Sequence, residues 1–261
     1  MTLPDNEIHL FIARPDEITD LDLLQQYESL LSDDEQTRLP KFYHQRHRHQ
    51  YLVTRALQRT CLSEFSDIEP AEWKFAKGEY GKPELNHPSS DHHLSFNLSH
   101  TAGLIICGIT LSAEIGVDVE DQQRSTRAAF SGLFSYFSPA EIRQLESLLP
   151  DQQKLRFFEH WTLKEAYIKA RGAGFAIPLS QFGFQFEAQH ISDFFIAQEL
   201  NDAADDWQFW QGCYAQRYPI AIAQRSNKNN MKVIVHECVP LQSMTRCNEI
   251  ELSFYSNSVF A

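Results

Sequence analysis

Apolar positions along this chain switch between alternation and helical spacing, and those switches delimit most of its elements. Residues 8–13 predict an opening strand. Residues 21–31 and about 47–65 predict helices, the second with Leu52, Ala56, Leu57 and Cys61 as a stripe at helical spacing. Residues 72–76 predict a short strand, and Tyr80-Gly81-Lys82-Pro83 a turn. Residues 94–98 and 103–110 predict paired strands joined at Ser99-His100-Thr101-Ala102, and a further strand is expected around 115–119. Ser138-Pro139-Ala140-Glu141 has Ser as N-cap, Pro at the first helical position and Glu at the capping-box position, so a helix starts there and should stop before Pro150. Asp151 is expected to cap a longer helix to about Arg171, ended by Gly172 and Gly174. Segments 181–186, 194–199, 207–215 and 221–224 read as strands, and a polar break at 226–230 precedes a last apolar segment, 231–239.

Each half therefore runs strand, helices, then strands, without a close internal sequence repeat. The expectation is an α+β architecture of two similarly built lobes with a boundary between about Thr110 and Gly116. Residues 1–112 form the first lobe, 113–225 the second, and 226–261 an extension to which the pattern assigns no role.

The 261 residues are 43% hydrophobic, enough for packed cores and against global disorder. A formal net charge of −12 argues against general nucleic-acid binding. Yet between Gln36 and Phe65 the only acid is Glu64, while Arg38, Lys41, Arg46, Arg48, Arg55 and Arg59 crowd that stretch, a pattern that suits either a discrete anion or a solvated helix face. Five cysteines without a CxxC pair fit reduced thiols, no basic-then-apolar leader is visible, and no apolar run reaches membrane-spanning length, so a cytoplasmic protein is expected. Zinc is disfavoured: His44, His47, His49, His92 and His93 match no closed-site spacing and have no cysteine partners.

Two segments carry the candidate chemistry. In Gly116-Val117-Asp118-Val119-Glu120, strand alternation turns both carboxylates to one side. Like charges that close repel unless a proton or a cation sits between them, and hard divalent cations prefer such oxygen ligands. In Trp161-Thr162-Leu163-Lys164-Glu165-Ala166-Tyr167-Ile168-Lys169, Trp161, Glu165 and Lys169 share a helix face, with Lys164 100° away and able to flank the same cleft. Plain alternatives are two exposed acids at a strand end and an intrahelical Glu165–Lys169 ion pair; Trp161 reads as core. Ser99 and His100 would point to opposite faces of a strand, which makes a poor nucleophile–base dyad but a fair pair of donors to phosphate. Lys82, on its turn, also suits an anion.

The ordered blocks Tyr80-Gly81-Lys82-Pro83, Phe96-Asn97-Leu98-Ser99-His100, Gly116-Val117-Asp118-Val119-Glu120 and Trp161 to Lys169 resemble the 4′-phosphopantetheinyl transferases of the Sfp type, over about residues 42–184. The resemblance implies a monomeric pseudodimer of two α/β lobes with the active site in the cleft between them. It also implies transfer of phosphopantetheine from coenzyme A to a serine of an apo acyl or peptidyl carrier protein, as in fatty-acid, polyketide or nonribosomal-peptide assembly, releasing adenosine 3′,5′-bisphosphate. By the same resemblance Asp118, Glu120 and Glu165 bind Mg2+, Lys164 and Lys169 contact phosphates, and Arg46, Lys82, Ser99 and His100 hold the nucleotide part. Glu165, directly or through water, is the candidate general base, with Lys169 beside it. A pyrophosphate hydrolase and a non-catalytic coenzyme A-binding module are the alternatives.

Overall fold

Strand β1 (Glu7–Ala13) is buried from its second residue onward, because it lies inside a sheet rather than at its edge. The computed structural model describes residues 3–78, 82–86, 94–111, 114–123, 136–172, 174–226, 228 and 230–257. The chain is α+β and divides into two units, residues 1–113 with 230–248, and residues 114–229 with 249–261.

In the first unit, helices α1 (Leu21–Ser29), α2 (Asp33–Arg38) and α3 (Gln45–Ser63) follow β1. Asp20 caps α1 by accepting from the Asp22 and Leu23 amides. Ser32 and Glu35 form a capping box for α2, a helix too short to show periodicity. Strands β2 (Phe75–Lys77) and β3 (Pro83–Leu85) pair with each other, and β4 (Ser95–Thr101) pairs with β5 (Leu104–Thr110). The five-stranded sheet has the order β12-β11-β1-β5-β4, with β11 (Lys232–Val239) and β12 (Ser243–Arg246) coming from the tail. β11 runs parallel to β1, Phe11 facing His236, and β5 runs antiparallel on the other side. Val53, Ala56, Leu57 and Cys61 of α3 belong to one buried cluster with Phe11, Ile105 and Cys107 of the sheet.

The second unit holds β6 (Ile115–Val119), α4 (Pro139–Glu146), α5 (Pro150–Arg171), the β7 (Phe182–Glu187) and β8 (His190–Ile196) pair, β9 (Trp207–Tyr214), β10 (Tyr218–Arg225) and β13 (Ser253–Ser256). Its four-stranded sheet has the order β13-β9-β10-β6. The capping box at Ser138 and Glu141 forms as the sequence predicts, and α5 ends on Gly172 in the left-handed conformation, φ 66°.

Several local expectations are corrected. Residues 70–72 form a 3-10 turn, and the strand starts only at Phe75. Ser99, His100 and Thr101 lie within β4, leaving the hairpin turn to Ala102 and Gly103, whose φ is 84°. Leu149, not Asp151, is the N-cap of α5, because Pro150 already fits the first helical position, where its missing N–H costs nothing. The 194–199 strand starts earlier, at His190, since it hairpins with β7. Tyr80, Gly81, His92 and His93 lie outside the described residues.

Candidate active site

Alternation along β6 puts Gly116 and Asp118 on one face, and helix α5 lies against that face. A Cβ on Gly116 would stand 2.0 Å from the Ala166 carbonyl oxygen and 2.4 Å from the Ala170 nitrogen. Only glycine lets the helix backbone come this close. Ala166 and Ala170 each follow a residue of the candidate site, so the contact that needs Gly116 also delivers Glu165 and Lys169 to Asp118.

Lys169 Nζ donates to Asp118 Oδ1 at 2.6 Å and to the Val117 carbonyl at 3.2 Å. Asp118 is only 5% exposed. Glu165 is half-buried, and its Oε1 has no hydrogen-bond partner among the described residues. Burial pushes the Glu165 carboxyl up to about 7, and the Asp118 charge adds to the rise while Lys169 opposes it. Lys169 thus serves both acids, and Glu165 holds a buried oxygen without a hydrogen-bond partner among the described residues. An acceptor-only pair of hard oxygen atoms in that state fits Mg2+ completed by water or phosphate oxygens.

Glu120 is not brought into this pair. It lies one residue beyond β6, half-buried, its amide donating to the Pro219 carbonyl at 3.1 Å. Among the described residues no group of three His, Cys, Asp or Glu side chains stands in metal-holding geometry. The next residue, Asp121, takes a two-pronged ion pair from Arg217, Nε at 2.9 Å and Nη2 at 2.7 Å, which pins the chain just after Glu120. The Arg217 hydrogen bonds keep the Asp121 carboxyl below its usual range although burial works the other way.

Lys164 requires a correction. It does not flank Glu165 in a cleft: its side chain is 0% exposed, with Nζ 2.7 Å from Glu141 Oε2 and 2.5 Å from the Phe182 carbonyl. Residues at 100° on a helix can part company completely when one side meets solvent and the other meets a partner. Here the partner is the capping-box glutamate of α4, which also accepts from the Ser138 amide, the Ser138 hydroxyl and the Phe184 amide. Burial works to raise the Glu141 carboxyl, but Lys164 and His160 outweigh it and hold it at about 2. Burial pulls the Lys164 ammonium down against the attraction of Glu141. A fully buried ammonium that already donates to a carboxylate and a backbone carbonyl is not available to phosphate. Trp161 is half-buried at the margin of the core rather than inside it.

The other residues singled out in the sequence belong to the first unit. Ser99 is buried and His100 exposed on edge strand β4, opposite faces as alternation requires. Lys82 is half-buried just before β3. Arg46 lies in the first turn of α3, 58% exposed, with Asp16 3.8 Å away, a contact worth little in water. Gln50, four residues on, donates to the Thr101 carbonyl at 2.7 Å and ties the start of α3 to the end of β4. Arg55 and Arg59 serve the interior instead, both pairing with Glu35, and Arg59 is fully buried.

Residues 114–223 match the family described as the 4′-phosphopantetheinyl transferase superfamily, and residues 20–110 match a family described as 4′-phosphopantetheinyl transferase, N-terminal. The 4′-phosphopantetheinyl transferase HetI of Nostoc sp. is 37% identical over 177 residues, covering 67% of this chain and 73% of HetI. The chain belongs to the 4′-phosphopantetheinyl transferase superfamily. This transferase is also similar to a 4′-phosphopantetheinyl transferase of Bacillus subtilis, 32% identical with 62% of this chain and 70% of the relative covered. Its likeness to Sfp of Bacillus subtilis (strain 168) is 26% identity, covering 75% of this chain and 80% of Sfp. Asp118, Glu165 and Lys169 fall in the matched region 114–223, and Arg46, Lys82, Ser99 and His100 in the matched region 20–110.

Sequence reasoning missed Gly116 as a packing requirement, Arg217 and Glu141. Only Glu141 carried a signal, as a capping-box acid, and that signal describes a helix start rather than a buried lysine partner.

Proposed function

We propose that this transferase moves 4′-phosphopantetheine from coenzyme A to a serine hydroxyl of an apo acyl or peptidyl carrier protein, with Mg2+ required. The observation that carries the reading is the pairing of buried Asp118 with half-buried Glu165 beside the Lys169 ammonium. Asp118 and Glu165 would hold the ion, which when bound neutralises pyrophosphate oxygens and the charge that develops on the leaving group. Lys169, already between a carboxylate and a backbone carbonyl, can turn its donors to a phosphate oxygen once its neighbours are otherwise neutralised. Glu120 would reach the ion only after a change of side-chain position.

In the transfer step the serine oxygen attacks the β-phosphorus, the bond to the bridging oxygen breaks, and adenosine 3′,5′-bisphosphate leaves with that electron pair. The serine proton passes to Glu165, directly or through a water. Arg46, Lys82, Ser99 and His100 would hold the nucleotide part. The exposed part of the basic stretch, Arg38, Lys41, Arg46 and Arg48, offers an acidic carrier a docking face, with Tyr43 93% exposed within it. Monomeric, cytoplasmic action on carriers of fatty-acid, polyketide or nonribosomal-peptide assembly completes the reading.

The test is incubation with coenzyme A, Mg2+ and apo carrier domains, followed by intact mass measurement of the carrier. A phosphopantetheine gain abolished by a chelator is expected. No gain on any of several carriers would overturn the proposal, and release of adenosine 3′,5′-bisphosphate without a carrier would mark a hydrolase.

A further inference from the structure

The back of helix α5 is gripped by one buried carboxylate. The Asp202 side chain is 1% exposed and stands outside every element, directly after Asn201, whose φ of 48° is left-handed. It accepts from the Tyr167 hydroxyl at 2.7 Å, from Arg171 Nη1 at 2.5 Å, from Trp207 Nε1 at 3.1 Å and from Arg225 Nη2. The Ala203 amide adds a fifth bond at 3.0 Å. Tyr167 and Arg171 are one turn apart near the C-terminus of α5, and Arg171 Nη1 also donates to the Tyr167 hydroxyl at 2.9 Å. Trp207 opens β9 and Arg225 ends β10.

Arg225 extends the grip to β6. Its Nη1 donates to Glu114 Oε1 at 3.1 Å and its amide to the Glu114 carbonyl, just ahead of β6, while Gln224 and Ile115 are paired in the sheet. One carboxylate therefore joins the helix carrying Glu165 and Lys169 to the strand carrying Asp118. The charges balance: Asp202 and Glu114 against Arg171 and Arg225. Tyr167 lies two residues from both Glu165 and Lys169, hence on the far side of the helix from them. The front of α5 rests on Gly116, where close contact sets its distance from β6. Contact through a missing Cβ does little to stop the helix sliding along its own axis. The hydrogen bonds to Asp202 oppose that slide at the C-terminal end of the helix, as the Lys164 bonds to Glu141 and the Phe182 carbonyl do on another side.

We infer that Asp202 is a positioning residue of the transfer reaction: by joining Tyr167 and Arg171 of α5 to Arg225 at the β6 end, it sets the register that places Glu165 and Lys169 against Asp118. The inference rests on the proposed metal role of Asp118 and Glu165. A shift of about 1 Å in such a pair costs on the order of 100-fold in rate.

Asp202→Asn keeps the shape of the side chain and removes its charge. It is compared with Ile191→Ala, a truncation in the same buried core that removes no hydrogen bond to Asp202, and with Tyr167→Phe, which removes one bond from the hub. Each full-length variant is assayed at a temperature where circular dichroism shows it folded, for the rate of carrier loading against Mg2+ concentration. Mn2+ uptake in the presence of coenzyme A is followed by electron paramagnetic resonance. Asp202→Asn should lower kcat by tens to about 100-fold, raise the Mg2+ midpoint and weaken Mn2+ uptake; Tyr167→Phe should do the same to a smaller degree. Ile191→Ala should melt earlier yet keep the parent midpoint. If Asp202→Asn and Tyr167→Phe are folded with the parent's kcat, Mg2+ midpoint and Mn2+ uptake, the inference is wrong. If Asp202→Asn does not fold, unchanged values in Tyr167→Phe overturn it alone. A parent protein that loads no carrier fails the transferase reading instead, and the Mn2+ measurement still decides the positioning role.

Discussion

Replacing Lys164 by Met separates a structural lysine from a phosphate ligand. Lys164 and Glu141 are both fully buried and 2.7 Å apart, and no solvent reaches either to absorb the charge left behind. Removing one partner of such a pair costs about 3–5 kcal/mol, because the survivor must stay charged without compensation or take up a proton. Glu141 would keep its bonds from Ser138 and Phe184, and His160, 3.4 Å away, could charge in place of the lysine. The lower end, about 3 kcal/mol, is therefore expected. For a protein of this size that is a melting point lower by roughly 6–12 °C. The double variant Lys164→Met with Glu141→Gln should recover part of the loss, since the stranded charge is gone. Urea unfolding reads the stability, and carrier loading against coenzyme A concentration reads the site. Below the transition, Lys164→Met should keep its KM for coenzyme A within a few fold. Unchanged stability together with a KM raised tenfold or more would refute the structural account.

Three further outcomes follow from the same packing. Gly116→Ala forces α5 off β6 to relieve a 2.0 Å contact, so it should cost about 3 kcal/mol in urea unfolding and abolish carrier loading in whatever remains folded. In the metal-free chain the Glu165 carboxyl sits near 7 against an ordinary 4.5, so the folded state holds a proton that the unfolded state releases. That contribution is complete below about pH 4.5 and lost as pH rises through 7, at most on the order of 3 kcal/mol. Glu165→Gln should flatten this slope in melting curves taken with a chelator, and curves parallel to the parent's from pH 5 to 8 would contradict the burial argument. Ending the chain at Arg225 removes β11 from beside β1 and opens an inner edge of the five-stranded sheet. The shortened protein should lose its near-ultraviolet circular dichroism and aggregate, and a monomer with the parent spectrum would show the tail to be dispensable.

What the sequence by itself determined was whatever a few neighbouring residues decide. Ser138, Pro139 and Glu141 specify a helix start, and Gly172 a helix end, because caps act within one turn. Alternation showed that Ser99 and His100 diverge, and helical spacing showed that Glu165 and Lys169 share a face. The order of the motif blocks was enough to name the superfamily. Only the tertiary structure decided which groups at large sequence separation meet. Lys164 turned inward because Glu141, 23 residues earlier, and the Phe182 carbonyl were there to receive it. Met231 to Val239 read only as a last apolar segment, and its parallel pairing with β1 joins segments more than 220 residues apart, which a local pattern cannot report. Asp202 gave no signal in a loop of ordinary polar residues, since its weight comes from two arginines, a tyrosine and a tryptophan gathered from three elements. Periodicity reports the face a residue presents, and the burial of a charge depends on what the rest of the chain brings to that face.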